Sequence, residues 1–577
     1  MLITQENQVV KGTTQNSAPK DFILHTFNIF NPHISRSINS LFSQTSRYLK
    51  APLTDEQIIE QTFSQRFTSN DEVYQSSQEV ESSFAASMGI EGSYGFYSGS
   101  VSASYRKDTY QSSTMFKSSF NGCIDCGTIT FSKQADYNAI RECLDDKMIA
   151  ALDAISSLQD ADRFGHQYGT HLILGLNLGG TIQLRTEAET ADYKSKEEVS
   201  IEVKAAYKGV GSIEAAASAA QTLSEKTHSY SFTQTAVAAG GDSKLALAID
   251  PRHKDTIINW GNSCSKDTAY GITNVMEIYQ LANNNVAKDM FKQLMDLIVL
   301  QQSINYPSVF TGAKRLEAFN EVSVDAITPD PHFRIIGGGA FLDRDYSSFL
   351  VDSYPHMDQG TNEISGWTAS SHDVAQIADS NKYLTSYAIA IYDPVFEHVK
   401  AGLFQKTLTT ASGSNRGVGK DSATAYIDHH FLISGGGIKS DRISGANKYV
   451  LGSYPSGNNE WTAVNCDYEN ASTNVELTAF AIGIASNHPV LEIKPHLVVT
   501  KAQEAQHTDV KAVLGNGVCI AGGGVLVERA TGFGNLVQQI YPSSFNSWEA
   551  YDKDHDGHIS YAVGTAYAIG FTAEIHI

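Results

Sequence analysis

Three groups of residues in this 577-residue chain have types and spacings that could support chemistry, and the first is an acidic loop. Asp552, Asp554 and Asp556 alternate ahead of Gly557, as carboxylates and a glycine do in the first half of an EF-hand calcium loop. The twelfth position is Val563 instead of the usual bidentate glutamate. A weak calcium site and a solvated acidic turn are therefore both open interpretations, and no other cofactor is expected.

The other two groups are a cysteine pair and a histidine. Cys123 and Cys126 form one CxxC with no second pair at metal spacing, so we expect free thiols or one local disulfide instead of zinc or redox chemistry. No nucleophile or carboxylate stands at a useful spacing from His171, which favours a buried, hydrogen-bonded structural histidine. The sequence also lacks a phosphate-binding loop, a zinc-protease helix and a nucleophile elbow. We therefore expect that the protein is not an enzyme.

Composition and charge narrow the class of protein further. The 41% apolar content is ordinary for a folded chain, and the length predicts more than one domain. A net charge of −21 argues against nucleic acid as a partner and against simple electrostatic docking on anionic lipid. No run approaches the roughly 18 apolar residues of a spanning helix, and the first residues lack the basic start and apolar core of a signal peptide. We expect a soluble protein that is released or secreted without a visible signal peptide.

Two segments alternate apolar and polar residues as a membrane-spanning β-hairpin must. In the first, the apolar positions switch phase across residues 97–99, as a hairpin turn would produce. Its candidate membrane-inserting residues are Phe84, Ala86, Met88, Ile90, Tyr94, Phe96, Val101, Ala103 and Tyr105. Those of the second segment are Val199, Ile201, Val203, Ala205, Tyr207, Ile213, Ala215, Tyr230 and Phe232. Alternation is also typical of a half-buried strand in an ordinary sheet, and residues 213–223 fit a helix equally well.

The residues between and after these segments would position them. Apolar residues at helical spacing predict helices over 139–158 and 275–300, and a strand-like run occupies 172–178. Two pairs of adjacent glycines follow strand-like runs, and such pairs weaken a strand and favour a sharp bend. Gly179, Gly180, Gly240 and Gly241 are therefore the candidate hinge residues of a bent sheet.

One stretch has a family signature. Tyr168, Gly169, Thr170 and His171, followed by Gly179-Gly180, resemble the signature of the membrane attack complex/perforin (MACPF/CDC) family of pore-forming proteins. Leu172 departs from it, because the family usually has an aromatic residue there. The resemblance implies a bent central antiparallel sheet flanked by helix clusters. It also implies that the two alternating segments are stored as helices and refold into β-hairpins.

The second half of the chain repeats one motif three times. Each unit has a glycine triplet, then Tyr-Pro, then a tryptophan, then a closing strand. The motif residues are Gly337, Gly338, Gly339 and Trp367; Gly435, Gly436, Gly437 and Trp461; Gly522, Gly523, Gly524 and Trp548. This pattern predicts an all-β pseudo-threefold domain. It resembles the β-prism or β-tripod module of some bacterial, including insecticidal, MACPF proteins, with a β-trefoil as the structural alternative.

Together these features predict an α+β fold with a MACPF domain at 1–320 and a three-repeat β-rich domain at 325–577. The resemblance implies a pore-forming toxin, insecticidal by its second half, that docks on a target-cell membrane through an unidentified glycan, protein or lipid receptor. Copies would assemble into a homo-oligomeric ring and insert two hairpins each. A non-lytic adhesin or lectin-like protein, with the MACPF half as a scaffold, is the alternative.

Overall fold

The computed structural model describes most of the chain. The described residues are 18–30, 42, 44–73, 115–190, 193–225, 231–316, 321–328, 331–344, 348–358, 363–373, 382–395, 399–409, 420–444, 448–467, 474–505, 507–531, 534–554 and 561–577.

The N-terminal half combines one antiparallel sheet with helices. Its strands are β1 (Thr26–Phe27), β2 (Ile58–Val73), β3 (Met115–Phe131), β4 (His171–Glu189), β5 (Ser231–Gly240) and β6 (Ala269–Glu277). Its helices are α1 (Tyr137–Cys143), α2 (Asp146–Asp153), α3 (Leu158–Tyr168), α4 (Tyr193–Tyr207), α5 (Ile213–Glu225), α6 (Ser243–Leu247), α7 (Lys254–Ser263) and α8 (Asn285–Asn305). Among the described residues, no helix is both long enough and apolar enough to cross a membrane.

Strand β4 organises this sheet. It pairs with β3 along one edge, and β3 pairs with β2. Along its other edge, β4 pairs first with β6 and then with β5. The run 172–178 is apolar at nearly every position and is covered on both faces, as a central strand between layers requires.

Capping residues divide the helical regions more finely than the sequence predicts. The helix predicted over 139–158 is two helices, because the carboxylate of Asp145 accepts hydrogen bonds from the amides of Lys147 and Met148 and starts α2. The second predicted helix begins later than residue 275. There β6 continues to Glu277, and Asn284 caps the first turn of α8.

The C-terminal half is built of strands alone in the described residues. They are β7 (Ser308–Arg315), β8 (Glu321–Ile327), β9 (Phe333–Leu342), β10 (Ser348–Met357), β11 (Ile364–Asp373), β12 (Tyr383–Tyr392), β13 (Val399–Thr409), β14 (Lys420–Tyr426), β15 (Leu432–Ser444), β16 (Lys448–Gly457), β17 (Glu460–Asp467), β18 (Asn474–Ser486), β19 (Leu491–Ala505), β20 (His507–Val513), β21 (Ile520–Thr531), β22 (Leu536–Ser544), β23 (Ser547–Lys553) and β24 (Tyr561–Ile575).

These strands form three six-stranded antiparallel sheets. Each sheet takes three strands from one repeat and three from a neighbouring repeat, for example β13, β18 and β15 with β10, β11 and β8. The predicted α+β fold, with a bent sheet followed by an all-β pseudo-threefold domain, is confirmed. Three separate sheets fit the prism-like prediction and not the trefoil alternative. The first strand, β7, precedes the predicted domain start at 325, because it pairs with β12.

The first glycine of each triplet lies where the three repeats meet. A β-carbon on Gly337 would approach Gly522, one on Gly435 would approach Gly337, and one on Gly522 would approach Gly435. This cyclic set marks the pseudo-threefold axis. Backbones meet there more closely than any side chain allows, which explains why only glycine fits.

Other contacts require glycine at the second and third positions of each triplet. A β-carbon on Gly436 would overlap the indole ring of Trp461, which lies flat against the strand. A β-carbon on Gly437 would press on the backbone of Ser353 and Tyr354 in the neighbouring repeat. The other two triplets make equivalent contacts, so each GGG packs against the axis, its own tryptophan and the next repeat.

Helix α8 joins the two halves at the ends of the closing strands. The side chain of Gln301 donates to Ala573 O in β24 at 3.0 Å. Ser303 accepts from the amide of Tyr392 at the end of β12. Gln293 contacts His488, just after β18, at 3.0 Å between their nitrogens. One helix therefore contacts one strand end in each repeat.

The repeats differ in how they bind the indole nitrogen of their buried tryptophan. Trp367 Nε1 donates to Ser353 at 2.9 Å, and Trp461 Nε1 donates to Ser453 at 3.0 Å. In the third repeat Ile540 takes the serine position, and Trp548 Nε1 has no acceptor among the described residues. The third repeat therefore lacks the hydrogen bond that fixes its equivalents.

Removing this hydrogen bond from the second repeat should destabilise it. We expect Ser453→Ala to cost about 1–3 kcal/mol, because the buried Nε1 loses its acceptor. Differential scanning calorimetry would measure the shift. Ser422→Ala, at an exposed strand position, is the matched control and should change little. Equal stability of the two variants would contradict this account.

A buried carboxylate makes the stability of the C-terminal half depend on pH. Burial raises the pKa of Asp352 to about 7, and its oxygen accepts from Ser440 N at 2.6 Å. The folded state thus holds a proton that the unfolded state releases, so this stability is complete below about pH 4 and is lost as the pH rises through 7. Asp352→Asn should be the more stable protein at pH 8, by at most about 4 kcal/mol, with a smaller gap at pH 5. An identical gap at both pH values in thermal melting would contradict this.

Candidate functional site

The signature residues join helix α3 to the start of β4. Gly169 has a φ of +91°, and a β-carbon there would press against the backbone of Phe27. Thr170 N donates to Phe27 O at 2.8 Å, and Thr170 Oγ1 accepts from Ile29 N at 3.0 Å. Tyr168 packs edge-on against Tyr48. The signature thus fixes the N-terminal segment against the sheet.

His171 is fully buried beside these contacts. Its Nδ1 lies 2.8 Å from Thr170 Oγ1, and its ring stacks on Phe27. Burial lowers the pKa of His171 to about 3, so the ring is neutral at physiological pH. Leu172, the departing position, is also fully buried and pairs with Met276 in β6. These positions contribute packing.

Irregularities in the backbone of neighbouring strands lie side by side across the sheet. At Gly179 the partner of β4 changes from β6 to β5, and Gly180 forms the first pair with Gly240. The register of β3 shifts opposite this point, between Asp125 and Gly127. The register of β2 shifts directly after its pair with Gly127. The four predicted hinge glycines therefore lie together at the bend.

Glycine is required at this level for two physical reasons. Its φ angles there are in the left-handed region: Gly127 +135°, Gly179 +122°, Gly240 +75° and Gly241 +61°. In addition, a β-carbon on Gly179 would overlap the carbonyl oxygen of Ile124, and one on Gly240 would overlap the carbonyl oxygen of Gly179. Strands approach at the bend more closely than side chains permit.

Helix α7 fills the bend between β5 and β6. The fully buried Trp260 donates from Nε1 to Gly240 O at 3.0 Å. The sulfur of Cys264 occupies the space over Gly180. Gly261 lets α7 approach α5, because a β-carbon there would lie 2.9 Å from Ile213. One helix therefore contacts both the bend and the second predicted inserting segment.

The cysteines around the bend are unreactive thiols. The six cysteines all lie in the described residues and none forms a disulfide, so the local disulfide left open for Cys123 and Cys126 is not formed. Burial raises the pKa of Cys264 to about 12 and also raises the pKa of Cys123 and Cys126. Their thiolate fraction is small at neutral pH, which makes them poor nucleophiles.

The second predicted inserting segment contains α4 and α5. Val199, Val203 and Tyr207 recur every fourth residue and form the buried face of α4. Ile201, from the same alternating set, is 69% exposed. Ala205 is also exposed. In a strand, all five alternating residues from Val199 to Tyr207 would lie on one side. In the helix, only three of them lie on the buried side.

Contacts with the sheet hold this segment. The ring of Tyr207 stacks on Phe120 of β3 with centroids 4.6 Å apart, and its hydroxyl accepts from Gln234 in β5 at 2.8 Å. In α5, Ile213 is buried and Ala215 is exposed. Phe232 lies in β5, whereas Tyr230 is outside the described residues.

The first predicted inserting segment, Phe84 to Tyr105, lies outside the described residues. The described strands β2 and β3 flank it, since β2 ends at Val73 and β3 begins at Met115. These two strands pair antiparallel at those ends, where Val73 pairs with Ser118.

The candidate calcium loop begins inside a strand. Asp552 is buried near the end of β23, and its carboxylate accepts hydrogen bonds from Thr508 and Asn535. Burial raises the pKa of Asp552 to about 6. Asp556 lies outside the described residues. Two protein donors therefore already bind the first residue of the candidate site.

The role of α7 could not be predicted from the sequence. Trp260 is a single tryptophan in a short polar helix, and no spacing links it to a glycine twenty residues earlier. One local signal was present, because Asp242 directly follows the second glycine pair and caps α6. That signal places a helical insertion at the bend but does not reveal its contacts.

Replacing Gly179 should destabilise the folded chain. A β-carbon would overlap the backbone of β3 and would also require a strained φ angle. We expect Gly179→Ala to cost at least about 1–3 kcal/mol in thermal unfolding. Gly211→Ala, at a position with open space, is the control and should be neutral or stabilising. Equal melting of both variants would contradict the close approach at the bend.

Several solved structures are similar to parts of this chain. The solved structure of GNIP1Aa from Chromobacterium piscinae is similar at 13% identity, covering 72% of this chain and 78% of that chain, with a TM-score of 0.36. A protein with a MAC/Perforin domain from Bacteroides thetaiotaomicron is similar at 12% identity, covering 63% and 69%, with a TM-score of 0.33. Astrotactin-2, a vertebrate-specific perforin-like membrane protein, is similar at 11% identity, covering 64% and 69%, with a TM-score of 0.32. Among curated proteins, no sequence matches.

The family model described as the MAC/Perforin domain matches residues 36–297. This range contains the signature, strands β2 to β6 of the bent sheet, helices α1 to α7 and both alternating segments. The chain therefore carries a MAC/Perforin domain in its N-terminal half.

Proposed function

We propose that the protein is a pore-forming protein that assembles on a target membrane and inserts two β-hairpins per subunit. The exposed Ile201 carries the proposal. An apolar side chain gains nothing from its place on α4, since it is 69% exposed there. In an extended strand it would join Val199 and Val203 on one face, where lipid would cover all three.

The same segment is suited to both states. Its helical form buries the residues spaced by four, and its strand form would place alternate residues on one side. Small residues of α5, among them the buried Ala216, Ala217 and Ala220, cover little surface, so their release from the sheet would be inexpensive. A segment stored in one form and used in another needs this compatibility.

Assembly follows from the hairpin mechanism. A two-stranded hairpin leaves unpaired backbone groups on both edges, which is costly in a bilayer. Neighbouring subunits must therefore pair their edges and close a ring. The outer edge of β2 is available for such pairing, because β2 ends its sheet and is largely exposed.

The C-terminal half is the proposed docking module. Its three repeats place equivalent surfaces around one axis, which suits multivalent binding to a surface with repeated ligands. Helix α8 would transmit the orientation of the docked module to the sheet. The receptor and an insecticidal target stay predictions from the sequence.

A charge on the proposed lipid face tests the pore directly. Ile201→Lys should leave folding intact, because the side chain is exposed, and should reduce dye release from vesicles of target-cell lipid at least tenfold. A lysine at the bilayer midplane costs about 2–4 kcal/mol in each strand. Glu198→Lys is the matched control, because it is also exposed on α4 and falls on the polar side of the strand. That variant should keep dye release close to that of the unchanged protein.

The outcomes separate the two functions that the sequence left open. Loss of leakage for Ile201→Lys alone supports insertion of this segment. Equal leakage from all three proteins would contradict it. Tight vesicle binding without leakage from the unchanged protein would favour the non-lytic adhesin.

A further inference from the structure

Strand β12 of the C-terminal half is contacted at both ends by the N-terminal half. Its last residue, Tyr392, donates its amide to Ser303 of α8. Its first residue, Tyr383, donates its hydroxyl to Glu197 Oε2 of α4 at 2.7 Å. The first contact involves the helix that joins the two halves, and the second involves the segment proposed to insert.

The two contacts differ in how easily they can break. Ser303 is fully buried in α8, whose neighbouring side chain Gln301 is also bonded to the C-terminal half. Glu197, by contrast, lies on the exposed side of α4. A buried contact within a packed helix resists opening, whereas a hydrogen bond at an exposed helix position can break locally.

The donor of the exposed contact is held in place. Tyr383 is only 7% exposed, and its amide donates to Asp343 Oδ2 at 3.0 Å. The guanidinium of Arg315 lies over its ring, 5.6 Å from the centroid. Burial and then the hydrogen bond to Glu197 raise the pKa of Tyr383, so the hydroxyl stays protonated and can donate. The C-terminal half thus presents a fixed donor to α4.

We propose that Tyr383 restrains α4 in its helical form, so that the docking module controls release of the second inserting segment. The inference rests on the proposed function. An extended strand from Val199 onward requires α4 to unwind, and unwinding moves Glu197 away from Tyr383. Docking forces that displace the start of β12 would break this bond and favour the extended form.

Helix α5 provides an internal comparison. Its close contact is with α7, where Gly261 lies against Ile213. Loss of the Tyr383 hydroxyl should therefore loosen residues 193–207 more than residues 213–225. A general loss of stability would loosen both helices equally.

Hydrogen–deuterium exchange of the full chain in solution tests the restraint without any membrane. Tyr383→Phe removes only the hydroxyl, and Glu197→Ala removes the acceptor at an exposed position with little risk to folding. Both should speed exchange in residues 193–207 about three- to tenfold. Glu198→Ala is the matched control, because Glu198 is the neighbouring carboxylate and is also exposed on α4. Unchanged exchange in both test variants would overturn the restraint.

Vesicle leakage then tests control of insertion. The proposal expects Tyr383→Phe and Glu197→Ala to shorten the lag before dye release several-fold at equal binding. Faster exchange with an unchanged lag would overturn the regulatory role. If the unchanged protein binds vesicles and never leaks, the pore function fails, while the exchange experiment still decides whether the contact restrains α4.

Discussion

The close approach of backbones at the sheet bend constrains the whole N-terminal half. At this level Gly179 and Gly240 lie against one another with no room for a side chain, and their φ angles suit glycine alone. The partner of β4 changes there from β6 to β5, and α7 packs in the gap between these two strands. Trp260 Nε1 donates to Gly240 O at this point. The bend is therefore tightly packed, and α7 fills the gap between the strands.

The packing at the bend also fixes the position of the elements beside it. Because α7 also contacts α5 through Gly261, the packing of the bend and the packing of the second alternating segment are physically linked. Opening the sheet and releasing the segment would share the same broken contacts. In the C-terminal half, glycines again mark where backbones meet, this time around a pseudo-threefold axis. Helix α8 couples the two regions, because it contacts a strand end in each repeat.

Local patterns in the sequence predicted a large part of this arrangement. The signature at Tyr168, the paired glycines and the triplets are each visible as a short local motif, although the contacts that require glycine there come largely from distant strands. The contacts of α7 and α4 could not be predicted in this way. They join residues distant in the chain, such as Trp260 with Gly240 and Glu197 with Tyr383, and no periodicity specifies such pairs.

The alternating segment shows a further limit of pattern analysis. Residues 199–207 satisfy the strand pattern and the helix pattern together, and the sequence leaves both open. The structure has a helix there because Tyr207 finds an aromatic partner in Phe120 and a donor in Gln234. Tertiary contacts, and not intrinsic preference, decide the form that is observed.

In the proposed mechanism this helix becomes a membrane-spanning strand. Environment-sensitive fluorophores on single cysteines, placed in turn at residues 199 to 207, would test this change of form. The background should lack Cys123 and Cys143, the two partly exposed thiols. On vesicles we expect lipid exposure to alternate with a period of two, with 199, 201, 203, 205 and 207 in lipid and the even positions in water. A period near 3.6, or no lipid exposure while vesicles leak, would contradict it.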